Sequence, residues 1–367
     1  MPWVSYVCRR DVITRMAVRK KKNTIRDVAK LAGVSYQTVS RVMNESESVA
    51  EETRKRVLQV MKELDFVPSK VARMLTTHRS HTLELIVVNI RHGGRFAESI
   101  QTMAMAARDA SYDLLVTMTE IENLGAALEN AAARLVDGVI MHAPSLDISD
   151  EHLLELCGSM PLVRRDYVPT SKLAWVGFDQ VYATRIAVEY LIQLGHRQIA
   201  AIPPSLDLIN GHLRHTIWHK TLLRHGLQPG PMCASEYTFS SGHAAMQQLL
   251  ATGQPFTAVM VGSDTMALGA MRALRERGLR IPADVSVISF DNAELAAFTE
   301  PPLTTIDFNF GQQDATAVKY LIEILSNPDM KLHQRILLPD LIVRASTCEL
   351  PAARVAEQSQ APKNSAD

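Results

Sequence analysis

Gly33-Val34-Ser35-Tyr36-Gln37-Thr38-Val39-Ser40-Arg41-Val42-Met43-Asn44 has two faces when wound as a helix from Tyr36 onward. Val39, Val42 and Met43 recur at i, i+3 and i+4 and make one apolar stripe. Tyr36, Gln37, Ser40, Arg41 and Asn44 fall on the opposite side. Ser35 stands at the N-cap position, its hydroxyl placed to accept the free N–H of Thr38. Gly33 supplies the left-handed residue that ends a preceding helix. The outer face mixes donors, acceptors and one guanidinium, which is the chemistry that reads base edges in a major groove. The stretch therefore predicts the turn and second helix of a helix-turn-helix. Its DNA-facing set is Ser35, Tyr36, Gln37, Thr38, Ser40, Arg41 and Asn44.

The flanking sequence agrees. Thr24 and Asp27 have the spacing of a capping box, and Ile25, Val28, Ala29 and Ala32 give the first helix its inner stripe. A third helix is predicted from about Glu51 to Leu64, with Val57, Val60, Met61 and Leu64 inward and Glu51 and Glu52 at the positive end of its dipole. Val67-Pro68-Ser69-Lys70-Val71-Ala72-Arg73-Met74-Leu75 can form a short helix with Pro68 at its first position. A bare three-helix bundle is the alternative, but cap, turn glycine, inner stripe and polar outer face all agree with DNA reading.

Thr24-Ile25-Arg26-Asp27-Val28-Ala29-Lys30-Leu31-Ala32-Gly33-Val34-Ser35, then Thr38-Val39-Ser40-Arg41-Val42-Met43-Asn44 and Glu52-Thr53-Arg54-Lys55-Arg56-Val57, resembles the headpiece of the LacI/GalR family of bacterial repressors. The Tyr36-Gln37 pair is similar to the lactose-responsive branch of that family. The resemblance extends over about residues 24–347. It implies double-stranded operator DNA as partner, a two-lobed core like that of periplasmic sugar-binding proteins, and a leucine, here Leu75, that wedges into the minor groove.

Charge supports the division. Residues 1–80 hold 17 of the 39 Lys and Arg but only 8 of the 39 Asp and Glu, a basic head on an acidic body. Cys8, Cys157, Cys233 and Cys348 are scattered, with no C-x-x-C, which argues for a reducing compartment and against a disulfide framework. No apolar run approaches the roughly 18 residues of a membrane span, and the basic start has no apolar core of a secretory signal. These features predict a cytoplasmic protein. The first residues read either as a disordered basic arm or as an extension upstream of a start at Met16.

After Ser80, short apolar runs alternate with amphipathic helices. Strands are predicted at Leu83–Ile90, Tyr112–Met118, Gly138–His142, Pro161–Arg164, Leu173–Phe178, Gln198–Ile202, Ala258–Val261, Val285–Phe290 and Leu303–Ile306. Helices are predicted between them, and the alternation means parallel sheets covered on both faces. The expected fold is an all-α helix-turn-helix headpiece followed by an α/β two-lobed periplasmic-binding-protein-like core. The expected division is extension 1–23, headpiece 24–67, hinge and linker 68–80, core 81–348 and disordered tail 349–367. Lobe 1 is expected at about 81–178 and 309–337, and lobe 2 at about 179–308 and 338–348, with crossings near Phe178, Phe308 and Leu337. The tail lacks the leucine heptads with which members of the family tetramerise, so a homodimer is expected.

Polar residues at strand ends and helix starts mark the expected cleft: Asp166, Arg214, Ser263-Asp264 and Asp291-Asn292. Carboxylates and an arginine beside aromatics suit a polyol, each hydroxyl donating to an aspartate and accepting from a guanidinium. Phe178 and Tyr237 are candidates to cover the apolar face of a sugar ring. By resemblance, Asp166, Arg214 and Asp291 hold the sugar and Tyr237 stands where the family has a stacking tryptophan. Ser263 and Phe308 stand where an asparagine and a glutamine are expected. The effector set is thus Asp166, Phe178, Arg214, Tyr237, Ser263 and Asp291.

Neither a catalytic site nor a cofactor is predicted. Gly93-Gly94 is not a dinucleotide fingerprint, and neither a Walker A motif nor a nucleophile elbow occurs. His212, His215 and His219 have helical spacing, but no cysteine or nearby second carboxylate completes a metal set. Met103 and Met105 read as core or dimer face. The expected function is a sugar-responsive repressor of a sugar-utilisation operon. The alternative is a sugar-binding protein or sugar-processing enzyme with a vestigial head.

Overall fold

The computed structural model describes residues 23–43, 48–66, 79–89, 96–145 and 148–351. The chain divides into residues 1–80 and 81–367, each taken by itself. Asn44, the hinge 68–78 with Leu75, Gly93-Gly94, the first 22 residues and residues 352–367 lie outside the described residues.

In the first unit, α1 (Ile25–Ala32), α2 (Tyr36–Met43) and α3 (Glu51–Glu63) surround one small core. Thr24 Oγ1 accepts from Asp27 N–H and the Asp27 carboxylate accepts from Thr24 N–H, so the capping box closes. Gly33 ends α1 at φ 64°, where a side chain would be strained. Val28, Ala29, Ala32, Val39, Val42, Val57 and Val60 are buried together, and Asn23 Nδ2 donates to Leu64 O at 2.6 Å, tying the end of α3 to the start of α1.

The second unit holds two sheets. The first is six-stranded and wholly parallel, in the order β2 (Asp113–Thr119), β1 (Thr82–Val88), β3 (Gly138–His142), β4 (Leu162–Arg164), β5 (Trp175–Phe178), β10 (Gln334–Leu337). Helices α4 (Phe96–Asp109) and α11 (Phe310–Ser326) cover one face, and α5 (Leu124–Ala133) and α6 (Asp150–Cys157) the other. The second sheet runs β6 (Ile199–Ile202), β7 (Ala258–Val261), β8 (Ser286–Phe290), β9 (Thr304–Asp307), β11 (Asp340–Ile342). Its faces carry α7 (Gln180–Gln193) with α8 (Ile209–Arg224), and α9 (Phe239–Ala251) with α10 (Asp264–Glu276).

Two edge strands and one helix differ from the sequence reading. β10 and β11 were not predicted, and β11 is antiparallel to β9. Both are short and half-exposed and begin with polar residues, Gln334-Arg335 and Asp340, so neither forms the continuous apolar run of a buried parallel strand. Helix α6 was also unpredicted, although Ser149 caps it by accepting from His152 N–H. Segment 231–235 flanks β6 through single parallel bridges at Ala201–Met232 and Pro204–Ser235.

The chain passes between the sheets after Phe178, at Phe308-Asn309, and between Leu337 and Asp340. It leaves β5, β9 and β10 by their carboxyl ends, so the two sheets aim those ends at each other. In each lobe the strand order reverses beside one strand, β1 in the first and β6 in the second, given segment 231–235. Such reversals open the crevices in which α/β sheets take ligands.

Candidate DNA interface and effector cleft

In the headpiece, Ser35 Oγ accepts the Thr38 N–H at 3.1 Å and meets Thr38 Oγ1 at 2.9 Å. That bond satisfies a first-turn donor and turns the start of α2 outward. Val39 and Val42 are buried beneath it, which leaves Ser35, Tyr36 (56% exposed), Gln37 and Arg41 exposed and Thr38 and Ser40 half-buried. Of the expected set, Tyr36, Gln37, Ser40 and Arg41 share the outward side of α2, Ser35 and Thr38 form its cap, and Asn44 is not described. Among the described residues neither Gln37 nor Arg41 is held by a partner.

In the core, Arg214 lies one turn into α8 and is 2% exposed. Its Nε and Nη2 donate to Gln180 Oε1 at 3.2 and 3.0 Å, and its Nη1 donates to Gly262 O. The guanidinium lies 4.2 Å over the Phe290 ring and 5.4 Å from that of Phe308. All its protein partners are neutral oxygens and ring faces. Three of the five N–H groups are used, which leaves one on each terminal nitrogen for a ligand. Phe308, found where the family resemblance led one to expect glutamine, replaces a polar contact with aromatic support.

Tyr237 follows the segment that flanks β6 and meets the same guanidinium. Burial pushes its hydroxyl up to about 12; the Arg214 charge pulls it down, Asp291 pushes it further up, and a hydrogen bond from Asn210 pulls it down. Asp291 is half-buried after β8 at φ 106°, a backbone conformation that an aspartate adopts at a cost. Buried Asp264 supports that turn: Oδ2 accepts from Ala293 N–H at 2.6 Å, and Oδ1 accepts from Ser289 Oγ and from Thr305 Oγ1 at 2.8 Å. Burial raises the Asp264 carboxyl, against the pull of these donors and of Arg344. Ser263 is 1% exposed and its hydroxyl accepts from Met266 N–H, so it caps α10. Lobe 2 thus gathers Arg214, Tyr237 and Asp291, with Asn210 and Gln180 as members the sequence reading missed.

The two remaining expected residues are placed differently. Phe178 is 3% exposed, with its ring centre 5.3 Å from that of Phe308 and 6.3 Å from that of Phe310; its surface is taken up by other rings. Asp166 is 7% exposed in lobe 1, with both oxygens engaged from within the protein: Oδ1 meets His142 Nδ1 at 2.7 Å and Oδ2 accepts Ala143 N–H at 2.8 Å. Burial would raise its carboxyl, but His142, Arg164 and the Ala143 N–H together hold it below the ordinary carboxylate range. Arg164 is buried 3.7 Å from Asp150, and none of its nitrogens makes a hydrogen bond among the described residues. Arg165 turns to the opposite sheet face and pairs with Asp314 and Ser99.

Among the described residues no group of three or more His, Cys, Asp or Glu is arranged to hold a metal ion, and no helix is long and apolar enough to cross a membrane.

Comparison with known proteins runs through both units. Residues 24–69 match the family described as bacterial regulatory proteins, lacI family, and residues 188–347 match a periplasmic binding protein-like domain. The lactose operon repressor of Escherichia coli (strain K12) is 34% identical over 340 residues, covering 92% of this chain and 93% of that protein. The crystal structure of the lac repressor dimer bound to operator and the anti-inducer ONPF superimposes with a TM-score of 0.81 at 33% identity, over 89% of this chain and all of that one. The complex of the transcriptional regulator CelR with cellobiose gives a TM-score of 0.66 at 30% identity, over 89% and 100%. Likeness of that extent, continuous from headpiece to core, makes this chain a member of the LacI family of bacterial regulatory proteins.

Proposed function

We propose that the chain is a cytoplasmic homodimeric repressor of a sugar-utilisation operon, released from a pseudo-palindromic operator when a sugar or sugar derivative enters the cleft of the core. One observation carries the sugar reading. Arg214 is a buried guanidinium with only neutral partners and two spare N–H groups, facing Tyr237 and Asp291. A neutral polyol uses such a site without importing a charge: its oxygens accept from Arg214 and its hydroxyls donate to Asp291. Asp166, Phe178 and Ser263 support the site from behind, as hydrogen-bond acceptor, ring support and helix cap.

The boundaries we propose are headpiece 24–67, hinge 68–80 and core 81–348. Ser35, Tyr36, Gln37, Thr38, Ser40, Arg41 and Asn44 are proposed to meet the major groove, and Leu75 the minor groove. Two headpieces on successive major grooves account for a two-fold operator. The dimer is supported by β2, an edge strand with Leu115, Val116 and Met118 exposed, beside exposed Met105; an apolar open edge of this kind is a surface that asks for a partner. Met103, by contrast, is fully buried in the core.

The test is selection of a binding site from random duplexes with full-length protein, followed by a gel shift on that site with and without a panel of sugars. A pseudo-palindromic site and release by a panel member are expected. A protein that selects no duplex, or whose complex no sugar in the panel disturbs, removes the corresponding half of the reading.

A further inference from the structure

The strand order of lobe 1 reverses at β1, so its ligand crevice lies between the carboxyl ends of β1 and β3. The last residue of β3 is His142. Its side chain is 18% exposed, whereas that of Asp166 behind it is 6% exposed. Two residues beyond His142, the Pro144 carbonyl accepts the Ile209 N–H of lobe 2 at 2.8 Å, and Ser145 pairs with Leu208. The segment that carries His142 therefore reaches the opposite lobe, and the imidazole stands at the lip of the cleft.

Asp166 is less open to a ligand: its side chain is 6% exposed, and each oxygen already has a partner from within lobe 1. An ionised carboxylate only accepts, so Nδ1 of His142 carries the hydrogen that points at it. Arg164, buried close by, favours the ionised carboxylate. With Nδ1 committed to Asp166, Nε2 is the ring nitrogen that points away from the carboxylate. Among the described residues Nε2 has no partner.

We infer that His142 Nε2, and not an oxygen of Asp166, is the group that lobe 1 offers to the effector, and that Asp166 is a positioning residue that fixes the tautomer and plane of the imidazole. The inference rests on the cleft reading above and narrows it. The effector is a neutral hydroxylated molecule with one hydroxyl hydrogen-bonded to His142 Nε2 at one end and another accepting from Arg214 at the other.

A double-mutant cycle on full-length protein tests it, with ONPF and cellobiose as probes in isothermal titration. Asp166→Asn should weaken binding about tenfold, the size of one net hydrogen bond. His142→Ala should weaken it at least as much. The double variant should be no weaker than His142→Ala alone, because Asp166 then has nothing to position. An Asp166→Asn loss that persists undiminished in the His142→Ala background overturns the inference. A second arm needs no variant: diethyl pyrocarbonate attacks an open imidazole nitrogen, and peptide mapping should find His142 modified in free protein and spared when a bound probe saturates the cleft. A His142 that resists the reagent while exposed His212 and His219 react also overturns it. If neither probe binds the wild type, the same mapping is done with whichever sugar of the panel releases the operator, and a His142 that this sugar does not spare overturns the inference while the sugar reading stands.

Discussion

Replacing Arg214 with methionine separates ligand recognition from the fold of lobe 2. Methionine keeps a long apolar stem against Phe290 and Phe308 and deletes every N–H. Within the protein, Gln180 Oε1 and Gly262 O lose their donors, while a buried charge is also removed. These effects oppose each other, so the expected destabilisation is modest, about 1–3 kcal/mol. The ligand loses two hydrogen bonds from a charged donor, at about 1.5–3 kcal/mol each. Because the two are not additive, we expect a total of about 3–5 kcal/mol, or a fall in affinity on the order of 10²- to 10⁴-fold. Isothermal titration with whichever sugar of the panel releases the wild type reads that loss. A gel shift reads operator affinity, which should stay within about threefold of wild type, since the head–operator contacts are untouched. Arg214→Lys should fall between the two, because the charge survives without the fork that reaches Gln180 and Gly262 together. A methionine variant that titrates like the wild type refutes the role given to Arg214. One that also loses its operator shows that Arg214 holds the lobe together instead.

Three further outcomes follow from the same structure. Gln37→Ala should relax preference at one base pair by about 1–3 kcal/mol while leaving general affinity for duplex in place; an unchanged selected motif would remove Gln37 from the reading set. Leu75→Ala, in the hinge, should abolish operator bending, seen as loss of the anomalous gel mobility of the complex, without changing ligand affinity; a complex that stays bent refutes the wedge. The His196 ring is buried between Thr257, Ser286 and the Cys348 carbonyl, and burial lowers its pKa from 6.5 to about 4. The unfolded chain then takes up a proton that the folded state refuses. The stability contribution is complete above about pH 6.5 and is lost as pH falls from there towards 4, by about 2 kcal/mol at pH 5. His196→Gln should flatten that slope in urea melts of the protein, and an unchanged slope would assign it to another group.

What could be read in advance depended on how far apart the cooperating residues lie. The cap of Ser35 on Thr38 and the Thr24–Asp27 box span three residues and are written in the local sequence. Parallel strands such as Ala258–Val261 are buried on both faces and so appear as unbroken apolar runs. Gln334–Leu337 has no signal of its own, because this edge strand is four residues long and opens on Gln334-Arg335, so neither an apolar run nor a polar–apolar alternation marks it. In the cleft, Arg214 was legible through its setting in α8. Gln180, 34 residues away, was not, since only the docking of α7 on α8 brings it close. His142 offered a usable signal: a polar residue ending the apolar run Gly138-Val139-Ile140-Met141 has the same form that picked out Asp166 and Asp291. Phe290 offered none, because an aromatic at the end of a strand reads as core whether or not a guanidinium lies on it.

The rings of Phe178, Phe290, Phe308 and Phe310 have a mechanical consequence. Phe178 and Phe308 stand at two of the three crossings between the lobes, and Phe308 is within 6.1 Å, centre to centre, of each of the other three rings. Ring-on-ring contact is spread over many small atom–atom attractions, so its energy changes gradually as one lobe turns against the other, whereas a hydrogen bond weakens steeply once its angle is lost. The resting balance between open and closed cores should therefore be adjustable by ring size alone. Trimming Phe310, which packs on Phe178 and Phe308 and not on Arg214, to leucine would shift that balance, and with it the ligand concentration at which the response occurs, while the atoms that touch the ligand stay the same. A chain built this way can retune its threshold without changing what it recognises.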